Sequence, residues 1–332
     1  MAIRSGLASS LAFSSAGETT WGTAATVDRW LEFVKEGFAL DIDRVESKAL
    51  RQNNRVLRGD RWVTGKRTVT GDIDFEVMNK GFGFLLKAIL GSSSSNNAGG
   101  VYTYTFTLGD PYGTSYTIEV GRPDVNGTVQ QFLVSGAKVE EATFKNSLDG
   151  LLELSTKWTA KDQATSGSTT GGVSYPAATE PFSWTGGSIN INSVAQASVK
   201  DITWTIKPGI KSDRYAINSS RTIREQIIAD MVEISGSITA EFESLTSYNL
   251  FVNASASNLY QVDATWSTDS FITGSTPFQL GVTMPKCRFE PAKVNVEGPD
   301  ILTVELPFKA LNPTDGSTQP ITMTYKTSDT AI

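Results

Sequence analysis

Apolar and polar residues alternate one by one along much of this chain, and that period commits the backbone to strands. The clearest run is Val69-Thr70-Gly71-Asp72-Ile73-Asp74-Phe75-Glu76-Val77. Successive side chains on a strand face opposite sides, so Ile73, Phe75 and Val77 point one way and Asp72, Asp74 and Glu76 the other. Residues 102–108, 115–120, 130–134, 138–144 and 151–160 read as further strands. Residues 146–150 read as a hairpin turn with Asp149-Gly150 at its tip. Helix spacing is confined to short pieces: Phe82, Leu85, Leu86 and Ile89 predict a helix over residues 82–90, stopped by Gly91.

The pattern then returns. Ile234-Ser235-Gly236-Ser237-Ile238-Thr239-Ala240-Glu241-Phe242 repeats the first run, with Gly236 over Gly71, Ile238 over Ile73 and Glu241 over Glu76. A second helix candidate, residues 245–252, sets Leu250 over Leu85 and Phe251 over Leu86. Upstream, Ile202–Ile206 resembles Phe38–Ile42. Downstream, Ile301, Leu302, Val304, Phe308 and Ala310 fall over Leu151, Leu152, Leu154, Trp158 and Ala160. The first copy has extra residues, read as loop, around 92–100 and 121–127. Between the copies lies a stretch rich in Gly, Ser, Thr and Ala, read as a linker. The expected organisation is an N-terminal arm (1–33), a first domain (34–165), a linker (166–186) and a second domain (187–332). Each domain is mostly β with a short flanking helix, and a chain of 332 residues accommodates two at the usual size.

Composition narrows the chemistry. The 39% hydrophobic and 10% aromatic content suffices for a core. There is no histidine, which excludes Ser-His and Cys-His dyads and histidine-bearing zinc sites. The single cysteine, Cys287, cannot form an internal disulfide and reads as a small buried apolar residue. No cofactor or metal motif is visible. Gly65-Lys66 lacks the phosphate-loop spacing, and Asp110-Pro111-Tyr112-Gly113 is turn chemistry. A net charge of −6 argues against a protein that grips phosphates, though not against a surface that nucleic acid slides past. Residues 1–15 carry no signal-like apolar run, and no stretch is apolar over the roughly 18 residues of a spanning helix, so folding in the cytoplasm and no membrane insertion are expected.

One segment runs against the acidic balance. Residues 51–67 hold Arg51, Arg55, Arg58, Arg61, Lys66 and Arg67 against Asp60 alone, interleaved with Leu57, Trp62 and Val63. Such a segment is either a solvated loop or a docking loop for an acidic neighbour, Trp and Arg being favoured at interfaces.

The most specific feature is the opening, Gly17-Glu18-Thr19-Thr20-Trp21-Gly22-Thr23, followed by Val27-Asp28-Arg29-Trp30-Leu31-Glu32-Phe33. Together with the arginine loop, the Val69–Glu76 strand and the apolar helix, it resembles tail tube proteins of siphophages through about residue 165; the internal match covers the rest. The resemblance implies tail-tube-type β-sandwich or half-barrel domains, in rings that stack into a tube for phage DNA. A duplicated chain would fill a sixfold ring as a trimer. It also implies a protein of the virion tail, assembled in the host cytoplasm. The implied partners are further copies of itself, tape measure, tail terminator and baseplate or tail-tip proteins, and double-stranded DNA in transit without specific binding.

On that footing Asp72, Asp74, Glu76 and Glu241, and more weakly Glu153 and Glu305, are candidates for an acidic lumen that repels phosphates. Trp21, Arg51, Arg55, Arg58, Arg61, Trp62 and Arg67 are candidates for contacts between subunits or rings. The N-terminal arm and the arginine loop are expected to order only on docking. The competing reading is a β-sandwich decoration or adhesin-like surface-binding module; a glycoside hydrolase would need two carboxylates facing across a cleft.

Overall fold

The computed structural model describes residues 5–166, 172–217, 220–294, 298–299 and 301–332. It is 52% strand and 7% helix. No helix is long and apolar enough to cross a membrane among the described residues.

In the first half, β1 (Ser10–Phe13), β2 (Ala39–Glu46), β3 (Trp62–Glu76), α1 (Gly83–Leu90), β4 (Gly91–Ala98), β5 (Val101–Leu108), β6 (Tyr116–Pro123), β7 (Val129–Ser147), β8 (Glu153–Ala160) and β9 (Asp162–Ser166) follow in order. β3 pairs antiparallel with β2 and with β8, and β8 pairs with the second part of β7. The first part of β7 belongs to another sheet, between β6 and β9, with β1 on the far side of β6. One strand thus serves both sheets. It changes course near Gly136, which holds φ +68, a conformation costly for any residue with a Cβ. Ile73, Phe75 and Val77 are buried as the alternation requires, in the same core as Phe84, Leu85, Leu86, Ile89 and Leu90 of α1. Gly91 ends that helix in the left-handed region.

The second half contains β10 (Gly187–Ile191), β11 (Val199–Lys207), β12 (Glu233–Glu241), α2 (Leu245–Val252), β13 (Tyr260–Thr273), β14 (Thr276–Phe289), β15 (Thr303–Ala310) and β16 (Thr322–Thr327). Its pairings follow those of the first half in register. Gly236 faces Phe308 as Gly71 faces Trp158. Phe289 faces Phe308 as Val139 faces Trp158, and Tyr260 faces Cys287 as Tyr116 faces Ala137. β10 lies on β13 as β1 lies on β6, and β16 on β14 as β9 on β7.

The halves meet through two strand pairs. β11 adds to the second part of β7, with Trp204 opposite Phe144. The rings of Phe144 and Trp204 stack at 4.8 Å and 4°, and Trp266 stacks on Trp204 at 5.4 Å. The Trp266 indole N–H donates to Asn146 Oδ1 at 2.9 Å, and Thr143 and Thr205 share a hydrogen bond at 2.8 Å. A second bond between halves runs from β16 to β5, with Tyr325 opposite Tyr104. The main cluster of buried residues accordingly spans both halves, with Ala12, Val27 and Trp30 forming a small separate one.

Five expectations change. Residues 92–100 are not a loop: β4 pairs along its whole length with β5. The strands expected at 130–134 and 138–144 are one. Residues 5–33 are no free arm, because β1 pairs with β6 and buries Leu11 and Phe13 completely. The near end of the second half is tied down too: Phe182, in the segment read as linker, is buried and donates its N–H to the Val77 carbonyl. The match of Ile202–Ile206 to Phe38–Ile42 is out of step by two residues. Trp204 pairs with Gly236, and the residue beside Gly71 is Phe38, whose ring a Cβ on Gly71 would meet at 2.4 Å. A shift of two keeps every side chain on its face, so alternation cannot detect it.

Trp204 is fully buried at the joint. Trp204→Ala is expected to cost about 3–5 kcal/mol, the range for deleting a large core aromatic. Guanidinium titration followed by circular dichroism and fluorescence checks this, and both probes should report a single transition in the parent chain.

Candidate functional site

The residues singled out from the sequence fall in three places. The first is the polar face of the sheet running β2, β3, β8, β7, β11, β12, β15. Asp72, Asp74 and Glu76 all lie on it, partly exposed, opposite the buried Ile73 and Phe75. Glu153 stands directly across from Glu76, and Glu305 across from Thr239. Glu241 lies on the same face of β12 as Ser237.

This face is not simply acidic. Lysines are interleaved with the carboxylates and paired to them: Lys35 to Asp72 at 2.6 Å, Lys157 and Lys207 to Glu141 at 2.7 and 3.3 Å, Lys200 to Glu241 at 2.9 Å, and Lys309 to Glu233 at 2.7 Å. The hydrogen bond from Lys35 holds the Asp72 carboxyl below its ordinary range, and that from Lys157 does the same for Glu141. Exposed pairs of this kind add little stability. Their consequence is electrostatic: each of these lysines already has an anionic neighbour. Ser237 and Thr239, which stand where the first half has Asp72 and Asp74, soften the charge further, and Ser237 donates to Glu305 at 3.0 Å.

The second place is the end of the β2–β3 hairpin. Arg51, Arg55 and Arg61 are exposed there, beside Leu50, Val56 and Leu57, which are 101%, 78% and 57% exposed. Arg58 binds Asp60 at 2.5 Å and holds that carboxyl down at about 2. Trp62 is half exposed with the Arg44 guanidinium 5.5 Å from its ring centre. Arg67 is different. It donates through Nε and Nη2 to Asp162 Oδ1, at 3.0 and 2.6 Å, and its backbone N–H bonds the Arg221 carbonyl. It fastens the hairpin base to both halves within the chain.

The third place is the opening motif, whose side chains make contacts within the chain. The Glu18 side chain is buried and accepts four hydrogen bonds: from Gly22 N–H (2.7 Å), Ser115 Oγ (2.6 Å), Thr117 Oγ1 (2.8 Å) and Gly136 N–H (2.8 Å). Trp21 donates to Gln226 Oε1 at 3.0 Å, under the Lys161 ammonium at 4.9 Å. Gln226 is fully buried and donates to the carbonyls of Gly136 and Thr159. Beside it, Lys138, 3% exposed, pairs with Glu225 at 2.9 Å. Burial lowers the Lys138 pKa against the pull of that pair. Trp21 is therefore an internal latch between the first strands and residues 225–226. Sequence reading singled out the motif but not its partners: Gln226 lies in no expected element, and nothing in the strand read over residues 138–144 marks Lys138 as buried.

No group of three or more residues that could hold a metal occurs among the described residues. Cys287 is buried, and desolvation pushes its thiol up to about 12.

Compared with known families, the chain matches the family model described as phage tail tube protein over residues 8–310. No curated protein matches it.

Glu18→Ala leaves four donors, three of them buried, facing an empty site and is expected to cost about 3 kcal/mol, with Glu18→Gln milder, measured by thermal and urea unfolding. Cys287 is expected to resist alkylation in the folded chain at pH 8 and to react on denaturation, read by mass spectrometry.

Proposed function

This chain belongs to the phage tail tube protein family, and on that footing we propose that it is a duplicated-domain tube subunit of a long, non-contractile tail, assembling as trimeric rings of pseudo-sixfold symmetry. The family's role is structural and its place is the virion tail. The observation that carries the trimer is the correspondence of pairings between the halves, strand for strand and in register, down to Gly71 beside Trp158 and Gly236 beside Phe308. Two such halves side by side on one sheet make a third of a sixfold ring.

In this reading the polar face of that sheet lines the channel for DNA. Binding of a polyanion to a protein surface draws its free energy from lysines and arginines that replace condensed counterions. Lys35, Lys157, Lys200, Lys207 and Lys309 on this face already neighbour carboxylates at 2.6–3.3 Å, so a phosphate passing them must compete with an anion held in place. The lining resists adhesion by internal compensation rather than by a large negative field. The exposed arginines and apolar side chains of the β2–β3 hairpin, Arg51, Arg55, Arg61, Leu50 and Val56, suit contact with an acidic surface of the next ring. Tape measure, terminator and tail-tip proteins would meet the tube at its inside and its ends, with assembly in the host cytoplasm.

Negative-stain microscopy of concentrated protein, seeded with a tail-tip complex where needed, is expected to give striated hollow tubes with threefold end views. Discrete particles that never polymerise with the seed would overturn the reading in favour of a surface-binding module. Asp72→Lys with Asp74→Lys and Glu76→Lys is expected to leave tube formation intact. It should slow genome release about tenfold or more at low ionic strength, with recovery as salt rises; release can be followed by dye binding to ejected DNA.

A further inference from the structure

The sheet joining the halves ends in two unmatched places. At one end β2 pairs with β3 on one side alone among the described residues. Gly37 donates its N–H to Asp72 of β3, so the backbone groups of the next residue, Phe38, turn outward. They are not left bare. The Phe38 N–H donates to the Glu36 carboxylate at 3.2 Å, and Arg122 Nη2 donates to the Phe38 carbonyl at 2.8 Å. Arg122 also holds Glu36 by two contacts, at 2.8 and 2.7 Å, with its guanidinium 4.6 Å from the Phe132 ring centre. An ion pair thus sits where a neighbouring strand would bond.

The same three positions recur inside the chain, at the joint between halves. Trp204 stands where Phe38 stands, Ile202 where Glu36 does, and Trp266 where Arg122 does, since Trp266 faces Leu280 as Arg122 faces Gln130. There the outward side of Trp204 is taken by a strand, with Phe144 opposite. The cap is replaced by apolar residues wherever the edge is permanently paired. At the other end of the sheet, Lys293 bridges Glu305 of β15 as Thr143 pairs with Ser155 of β8. Beyond Cys287, where β13 leaves β14, no strand lies on the far side of Ala292–Val294 among the described residues. On the equivalent Ala142–Phe144, that side is where β11 binds.

We propose that the outer edge of β2 is the docking strand for a second copy of this chain, and that the Glu36–Arg122 pair is a removable cap that keeps it closed in the free subunit. The partner's Ala292–Val294 segment takes the register of β7 against β11: its Ala292 opposite Leu40, Lys293 opposite Ala39 and Val294 opposite Phe38. This rests on the ring reading and adds to it the seam, its register and its control. An uncapped edge invites indiscriminate strand pairing, and a buried-edge charge is a known guard against it. A cap made of one ion pair opens when a strand offers the same backbone groups better-aligned partners.

The test uses engineered cysteines in the full chain, whose own cysteine is buried. Ala39 turns its backbone toward β3, so residues 39 and 293 form a non-hydrogen-bonded pair across the seam, at about 4.5 Å between Cα atoms, within disulfide range. The double variant A39C/K293C is expected to cross-link between chains in assembled tubes, and the two-residue-shifted D41C/K293C is not. Tubes seen on the same grids without the 39–293 cross-link overturn the seam and leave the ring reading standing; a chain that never polymerises overturns both. For the cap, Glu36→Gln, with folding checked by circular dichroism, is expected to lower the concentration at which tubes nucleate by about tenfold, the equivalent of one charge-assisted hydrogen bond. Unchanged nucleation in both Glu36→Gln and Arg122→Gln overturns it.

Discussion

The requirement that every buried backbone N–H and C=O find a partner governs this molecule. A chain with half its residues in strands carries two edges for every sheet, and each edge has to be paired, covered or capped. The pairing of β11 on β7 meets that requirement between the halves and brings Phe144, Trp204 and Trp266 into one stack. From that joint follow the shared core, the common polar face and the location of the two edges left over. The Glu18 cage meets the same requirement for the N-terminal segment: donors from Gly22 and Gly136 converge on one carboxylate, and the segment is thereby fixed to the fold.

Strand content, both helices and the face of each candidate carboxylate were legible in the sequence because they depend only on local period. Asp72, Asp74 and Glu76 are where alternation puts them. What period cannot convey is the partner. The lysines that pair with the carboxylates come from neighbouring strands, so a face that looks acidic along β3 is compensated across the sheet. Trp21 and Arg67 looked like interface anchors because Trp and Arg favour interfaces, yet Gln226 and Asp162, both distant in sequence, hold them inside the chain. Residues 91–98, rich in Ser and Asn, carry the composition of a loop. They form a strand because the aromatic β5 beside them offers a full ladder.

The first and second halves differ most where their surroundings differ. Glu36 and Arg122 face outward; Ile202 and Trp266, in matching places, face the joint. α1 is buried, whereas α2, of equal length, buries no residue among its eight. Read as two copies of one domain, as proposed above, the halves keep the glycine and the strand register, which the backbone demands, and differ in the side chains that meet a neighbour.

The contrast between the two kinds of seam has a mechanical side. In a ring of such chains, seams of stacked tryptophan inside each subunit would alternate with seams closed by Phe38 and Val294 between subunits. The first resist shear and the second yield to it. On the trimeric reading proposed above, compliance would be distributed unevenly around the circumference, three soft lines against three stiff ones. A long tube of such rings would bend by small slips along the soft lines, and its bore would stay open because the stiff thirds keep their curvature.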